Sequence, residues 1–498
     1  MGYLSIVCPK GNRCLRTSIV VSFALLIAVI WPKPARALGD TESITMPLPT
    51  SNEPMPSSSG ANYLSVEIQQ YNYNSNTAQT TDQFSQYTQL SPQFGYYHKT
   101  ETSSGFENTL KTDGLLVLPM SAGTHFEVAV PNAFWKVKTP SRHFQLSIGR
   151  EVQNWSELDE FWHLGIWQPL ARWDAADPMT QGLTGVFARI SEDRFHMVFF
   201  ASDIFLPDQQ PDYQVSNGQI TSDNRWFRAP VSQFSNYNEP SNIDYTIASV
   251  NPSSVIFHKS FAVMTEFGQK NAGPYLRTSY AYKPMNQFHI ADNLNFNVAE
   301  NLATVTVLPM VIDEHVFTAE AGFHFNDNGE FMLSDTWEHF NNPSLPSNYE
   351  QSQLVDSQYL GALYRRDLDI FGLEHAGLGL SYVQRIEQTN PKTDTIIQGE
   401  VESSADRMSF DRLAGLQFHA QFWREADSGL DGELGYIYSL SDAGQWVHFL
   451  LNYQYDWHWT WSLAGDVLGL PPSNFSSTSF ISKYRGNSRV IGGLTYVF

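Results

Sequence analysis

The densest concentration of reactive side chains in the 498-residue chain lies within 143–187. Arg150, Glu157, Asp159, Glu160, Arg172, Asp174 and Asp177 are interspersed there with Trp155, Trp162, Trp167 and Trp173. Carboxylates and guanidiniums packed this closely can exchange protons, gather a metal ion, or set up a field for a passing solute. The first two chemistries lack their usual company: no His-Glu-x-x-His, no glycine-rich phosphate loop and no paired Cys/His spacing occurs. No cofactor or metal is therefore expected. The third chemistry remains, because opposite charges across a narrow polar passage orient solutes, whereas a wall of one sign mainly selects ions. Four tryptophans within 19 residues also need somewhere to bury. The segment is expected to fold inward, its rings against a wall and its acidic groups facing Arg150 and Arg172 or a solute. The alternative is a surface loop packed by its own aromatics.

Composition limits what can hold such a segment. Lys+Arg 30 against Asp+Glu 51 gives a formal net charge of −21, which argues against a nucleic-acid partner, since phosphates need clustered cations. Hydrophobic residues are 42% and aromatics 14%, yet mean hydropathy is −0.30. That is too polar for a bundle of membrane helices and too aromatic for a disordered chain. Lys10, Arg13 and Arg16 precede an apolar run over 19–31, followed by Ala35-Arg36-Ala37, the order of a secretory signal peptide spanning 1–37. Cleavage there removes five basic residues, no acidic ones, and both cysteines, Cys8 and Cys14, leaving 25 basic and 51 acidic residues. The mature chain then holds together without disulfides. Residues 38–60, rich in Pro, Ser and Thr, read as a flexible leader.

From 61 to 498 the hydrophobic period is two. Phe317, Ala319, Ala321, Phe323 and Phe325 alternate with Thr318, Glu320, Gly322 and His324. Ala414 to Phe422 and Gly432 to Leu440 repeat the pattern, and Phe257, Phe261, Val263 and Phe267 follow it less well. The longest run, Val447 to Leu463, exceeds an ordinary strand and predicts a tight hairpin near Asp456. Residues 72–93 read as a solvated loop, and 207–242, with Tyr213, Arg225, Trp226, Phe227 and Arg228, as an irregular loop that contacts a ligand or covers a lumen. A soluble sandwich and a transmembrane barrel both alternate. Trp457, Trp459 and Trp461 on one face are hard to bury in a sandwich core, but suit an aromatic girdle at a membrane interface. Short connections such as 326–329 against long ones such as 388–408 point the same way. The expected fold is all-β, a transmembrane antiparallel barrel of roughly 16–18 strands with long outer loops, one of them folded inward as a constriction.

The chain ends Val490-Ile491-Gly492-Gly493-Leu494-Thr495-Tyr496-Val497-Phe498. This resembles the closing strand of Gram-negative outer-membrane β-barrel proteins, whose last residue is typically Phe. The resemblance implies that Tyr496 and Phe498 are read by the barrel-insertion machinery. Gly149-Arg150 followed by Trp155 loosely resembles the strand-to-constriction element of porin-like channels. Outer-membrane phospholipases are similar in architecture, but they need a His two residues before Ser-Asn-Gly, and Gln214 stands there ahead of Ser216-Asn217-Gly218. The expected protein is not an enzyme. It is expected in a bacterial outer membrane as a porin-type channel for small polar solutes or ions, in contact with lipid and open to homo-oligomerisation. The alternatives are a binding or structural surface protein and a transporter of hydrophobic substrates. The acidic excess predicts modest cation preference.

Overall fold

The computed structural model describes residues 61–73, 86–120, 126–236, 239–268, 272–325, 329–342, 344, 346, 348–349, 354–370, 373–387, 411–425, 428–471 and 479–498. The expected signal peptide and leader, both cysteines, and the connections at 326–328 and 388–408 lie outside them.

Eighteen strands form one antiparallel sheet. The first seven are β1 (Ala61–Tyr73), β2 (Gln86–Glu101), β3 (Glu107–Pro119), β4 (Glu127–Lys138), β5 (Phe144–Glu151), β6 (Leu183–Glu192) and β7 (Phe195–Ser202). The next six are β8 (Ser260–Gly268), β9 (Gly273–Pro284), β10 (Asp313–Phe325), β11 (Gly329–Asn341), β12 (Ser357–Ile370) and β13 (Leu373–Glu387). The last five are β14 (Arg412–Arg424), β15 (Gly429–Ser439), β16 (Gln445–Gln454), β17 (Trp459–Gly469) and β18 (Arg489–Val497). β18 closes onto β1, with Val497 opposite Ser65 and Arg489 opposite Tyr73. Closure leaves no sheet edge with unpaired N–H and C=O groups, which is the condition for strands to cross a bilayer.

The alternation decides which face is which. In β10, Phe317 and Phe323 are exposed on the outside while Val316, Thr318 and Glu320 are buried inside. In β17, Trp459, Trp461 and Leu463 face out, and Asp466 and Leu468 face in. The exposed parity is the apolar one, the reverse of a soluble sandwich. Connections at the end where β18 stops are short, from two residues (193–194, 371–372) to five (102–106, 139–143). At the opposite end lie 152–182, 203–259, 285–312 and 470–488. The hairpin near Asp456 is the turn between β16 and β17, where the Asp456 carboxylate accepts the N–H groups of His458 and Trp459, each at 2.8 Å.

Three expectations are corrected. Residues 72–73 and 86–93 of the supposed loop continue β1 and β2. The stretch 207–242 is not irregular throughout. It holds a small hairpin (Gln214–Ser216 with Gln219–Thr221), and Gln233–Asn236 pairs with Glu239–Ile247. The latter runs parallel to Leu302–Met310, itself paired with His289–Asn297, so two long loops share a four-stranded sheet. Phe257 lies outside β8, capping the short helix Pro252–Ile256.

Candidate functional site: the lumen and its folded-in segment

The 152–182 connection between β5 and β6 turns into the barrel. Its one helix, α1 (Glu157–Trp162), starts at Ser156, whose hydroxyl accepts the Asp159 N–H at 3.2 Å. Leu158 and Trp162, four apart, share a face and are buried. Glycines on the facing strands permit the approach. A side chain at Gly361 of β12 would collide with Leu158 (2.3 Å), and one at Gly415 of β14 would press on Trp162 (3.0 Å). Trp155 stacks on Trp167, 5.6 Å between ring centres, and both are fully buried.

The wall of β9 and β10 anchors this helix. Glu320 sits at its N-terminus, accepting the Ser156 hydroxyl at 2.7 Å and the N–H groups of Glu157 and Leu158 at 3.2 and 3.3 Å. A carboxylate there takes donors the helix cannot use itself and suits the positive end of the dipole. Ser279 donates to the Trp155 carbonyl at 2.7 Å, and the Trp167 indole to Thr318 at 2.9 Å. Arg277 reaches Glu157 (3.3 Å), Glu320 (3.4 Å) and Glu266 (2.8 Å), while Arg365 reaches Glu157 at 3.1 Å. Burial pushes the Glu157 carboxyl up, but these two guanidiniums outweigh it and hold the group below its ordinary value.

The acidic residues singled out in the sequence thus fall into different roles. Glu157 is the ion-paired anchor. Asp174 pairs with Arg489 of β18, which also bonds Asp466 at 2.6 Å. Asp159 does not face a solute: its two oxygens accept the N–H groups of Ile166 (2.9 Å) and Trp167 (3.1 Å) and so close the loop on itself. Burial raises its carboxyl to about 6 against the pull of those donors. Glu160 is half-buried, and burial together with nearby Glu157 pushes its carboxyl well above the usual range. Asp177 is exposed.

The basic partners expected within the segment are not partners at all. Arg150 has the outward parity of Ile148 and donates to the Gly182 carbonyl at 3.0 Å. Arg172 is buried against Asp208 (2.9 Å) and the Leu164 carbonyl (2.9 Å). The cations that pair with its carboxylates, Arg277, Arg365 and Arg489, come from strands 120 to 315 residues downstream. Only their place on the inward parity could have marked them. The other aromatic-basic stretch packs on protein: Arg225 donates to the Gly486 carbonyl (2.8 Å), Arg228 to that of Lys483 (2.6 Å), and Trp226 lies against Phe480. Ser216-Asn217-Gly218 is a turn, with Asn217 and Gly218 at φ 51 and 74.

On the β2–β5 wall, Trp173 and Met179 of the segment pack against Leu115, Val117 and Ala129, and part of the wall stays free of it. A cavity of about 350 Å³ is lined by Tyr97, Lys111, Asn132, Lys136, Lys138 and Val152, among others. Each lining ammonium has a more buried carboxylate partner: Lys136 pairs with Glu151 (2.6 Å), Lys138 with Glu107 (3.6 Å), and Lys111 with Asp113 just outside the lining (3.0 Å). The side chains of Lys111 and Lys138 are 38% and 31% exposed, against 14% and 12% for Asp113 and Glu107. The lysines therefore present their charge to the cavity. Trp457, Trp459 and Trp461 are exposed outside the barrel, and Tyr496 packs between Trp459 (4.6 Å) and Phe498 (4.7 Å) at the closing seam.

Fold and site together define a closed, 18-stranded antiparallel β-barrel with the 152–182 loop folded into its lumen. No family model and no curated protein matches the chain. Among solved structures it is similar to Acinetobacter baumannii OccAB3, at 10% identity and TM-score 0.43 over 88% of this chain and 99% of that one. Pseudomonas aeruginosa OpdQ gives 10% and 0.41 over 88% and 98%. A mutant of Rh. blastica porin gives 7% and 0.34 over 88% and 100%.

Proposed function

We propose that this chain is a channel of a bacterial outer membrane that passes small polar solutes by diffusion. The folded-in segment narrows its lumen. The observation that carries this reading is the asymmetry of the interior. The segment is fastened by its ion pairs to the β9–β12 wall and to β18, touches β3 and β4 only through Trp173, Met179 and its two ends, and leaves a polar cavity along β2–β5. About 350 Å³ falls within the range that admits a small molecule. Lysines and the carboxylates they pair with on this wall supply a local field, in which a dipolar solute is oriented as it passes. The cavity lining opposes the sign expected from net charge, so we infer weak anion preference, screened beyond about 10 Å at 0.1 M salt. In this reading the short turns face the periplasm, Trp457, Trp459 and Trp461 form a girdle in outer-membrane lipid, and Tyr496 and Phe498 serve the insertion machinery. Residues 1–37 act as the export signal.

Single-channel recording in a planar bilayer tests it. Wild-type protein should conduct, and deleting residues 155–177 should raise conductance severalfold without preventing insertion. A deletion that leaves conductance and solute uptake unchanged would remove the segment from the pathway.

A further inference from the structure

Near the end where the long connections gather, the outer wall holds two histidines side by side. His315 of β10 and His339 of β11 are cross-strand partners, with the outward parity of the exposed Phe317 and Trp337. Their ring centres are 6.0 Å apart and their planes are tilted by 35°. Each ring is held by its Nδ1. His339 donates to the Asp356 carboxylate at 2.8 Å, because an ionised carboxylate can only accept. The Nδ1 of His315 bonds the Tyr280 hydroxyl at 2.9 Å. Neither Nε2 has a hydrogen-bond partner among the described residues.

The two anchoring groups lie on opposite sides of the pair. Tyr280 belongs to β9, which flanks β10. Asp356 directly precedes β12, in line with His339, because Glu338 is opposite Ser357. Each Nδ1 is therefore drawn away from the other ring. Nδ1 and Nε2 occupy nearly opposite edges of an imidazole, so both Nε2 lone pairs turn toward the seam between β10 and β11. We propose that His315 and His339 chelate one divalent transition-metal ion there, Cu²⁺ more tightly than Zn²⁺, with water completing the coordination. The inference rests neither on the membrane nor on what passes through the lumen.

The spacing suits a chelate. With a ring nitrogen about 1 Å from its ring centre, facing Nε2 atoms stand roughly 4 Å apart, and metal–nitrogen bonds of about 2.0–2.1 Å need them at about 3–3.4 Å. Small side-chain rotations close that gap, and the His339 side chain, 61% exposed, has room to make one. The Nδ1–H bond to Asp356 is the contact that fixes the tautomer of a metal-binding imidazole and raises its basicity. The Tyr280 oxygen can accept the matching bond from His315. Asp356 is itself braced by the Phe340 N–H at 3.4 Å. Asp313, on the same face as His315, accepts the Tyr282 hydroxyl at 3.1 Å, so two carboxylates add negative charge beside the cation. Imidazole donors with water suit Cu²⁺, Ni²⁺ and Zn²⁺, and Cu²⁺ binds most tightly of the three.

The test uses the protein purified from membranes without a histidine tag, titrated with Cu²⁺ in detergent. Calorimetry should show one equivalent bound most tightly, and pulsed electron paramagnetic resonance should show two coordinated imidazoles. His315→Gln and His339→Gln should each weaken that equivalent at least about tenfold, as loss of one arm of a chelate does. Asp356→Ala should weaken it about tenfold with both imidazoles still coordinated. His143→Gln, in the short connection at the other end of the barrel, should change neither affinity nor spectrum. The heat-dependent gel shift reports that each variant is folded, and the wild-type spectrum stands without them. No tightly bound equivalent, a spectrum with a single imidazole, unchanged binding in either histidine variant, or equal weakening by His143→Gln would each overturn the proposal.

Discussion

Glu320→Ala removes the acceptor at the N-terminus of α1 while leaving the barrel wall otherwise intact. Three donors of the segment lose a charged partner, the Ser156 hydroxyl and the N–H groups of Glu157 and Leu158, and the Ser334 hydroxyl of β11 loses a 3.2 Å bond. Hydrogen bonds to charged groups contribute about 1.5–3 kcal/mol each. With water returning to part of the gap, a net loss of about 4 kcal/mol in docking of the segment is expected. At about 1.4 kcal/mol per factor of ten, that multiplies the undocked population by roughly a thousand. Arg277 keeps Glu157 and Glu266, so the wall retains a compensated cation and the barrel should still insert. Single-channel records should show larger mean conductance with added open-state noise, and limited proteolysis should cut within 152–182 faster. Glu320→Gln, which keeps one acceptor oxygen, should lie between the two. A Glu320→Ala channel with wild-type conductance, noise and protease resistance would refute the reasoning that these bonds hold the segment in place.

Other outcomes follow from the same geometry. Burial and nearby Arg172 lower the His163 imidazole to about 4. The docked segment therefore binds its proton less readily than the free one. The contribution of His163 to docking is complete above about 6.5 and is lost as pH falls from there through about 4, while Asp159, its carboxyl raised to about 6, acts in the opposite sense over the same window. Protease cutting within 152–182 should therefore rise less, or fall more, from pH 6.5 to 4 in His163→Asn than in wild type. Lys136→Glu with Lys138→Glu should move the reversal potential in a salt gradient toward cations by reversing the lining of the cavity, an effect that shrinks at high salt. Arg489→Met leaves the buried carboxylate of Asp466 with only His448 (2.8 Å) and the Trp446 indole (3.0 Å) and unpairs Asp174, a loss at the lower end of about 3–5 kcal/mol that urea unfolding of the folded barrel should register. Removing residues 496–498 takes away the Trp459–Tyr496 contact and the Phe498 N–H to Leu64 carbonyl bond of 2.9 Å at the seam, and heat-modifiable barrel should fall sharply.

The barrel was legible because a wall between lipid and a wet lumen forces alternation on every strand, as at Phe317 to His324. The inward course of 152–182 was legible too, since Trp155, Trp162 and Trp167 cannot all stay in water. The direction in which the segment leans was not. It depends on Glu320, Arg277, Arg365 and Arg489, and on the missing side chains at Gly361 and Gly415, each set by strand register far along the chain. Nearness in sequence misled for Arg150 and Arg172: one has outward parity, the other is held by Asp208. Asp159 looked like a lumen charge because its composition says nothing of the two backbone donors that its own loop turns toward it. The strands within 207–242 and 289–310 escaped notice because partners from two separate loops complete their sheet.

The central claim is that solutes cross along the lysine-bearing wall of β2–β5 and not behind the folded-in segment. Cysteine modification during bilayer recording tests it most directly. Lys111→Cys, in the open cavity, should lose most of its current when a bulky charged thiol reagent is added. Thr336→Cys, buried on the inner face of β11, should keep its current. Block at Thr336→Cys with none at Lys111→Cys would contradict the account.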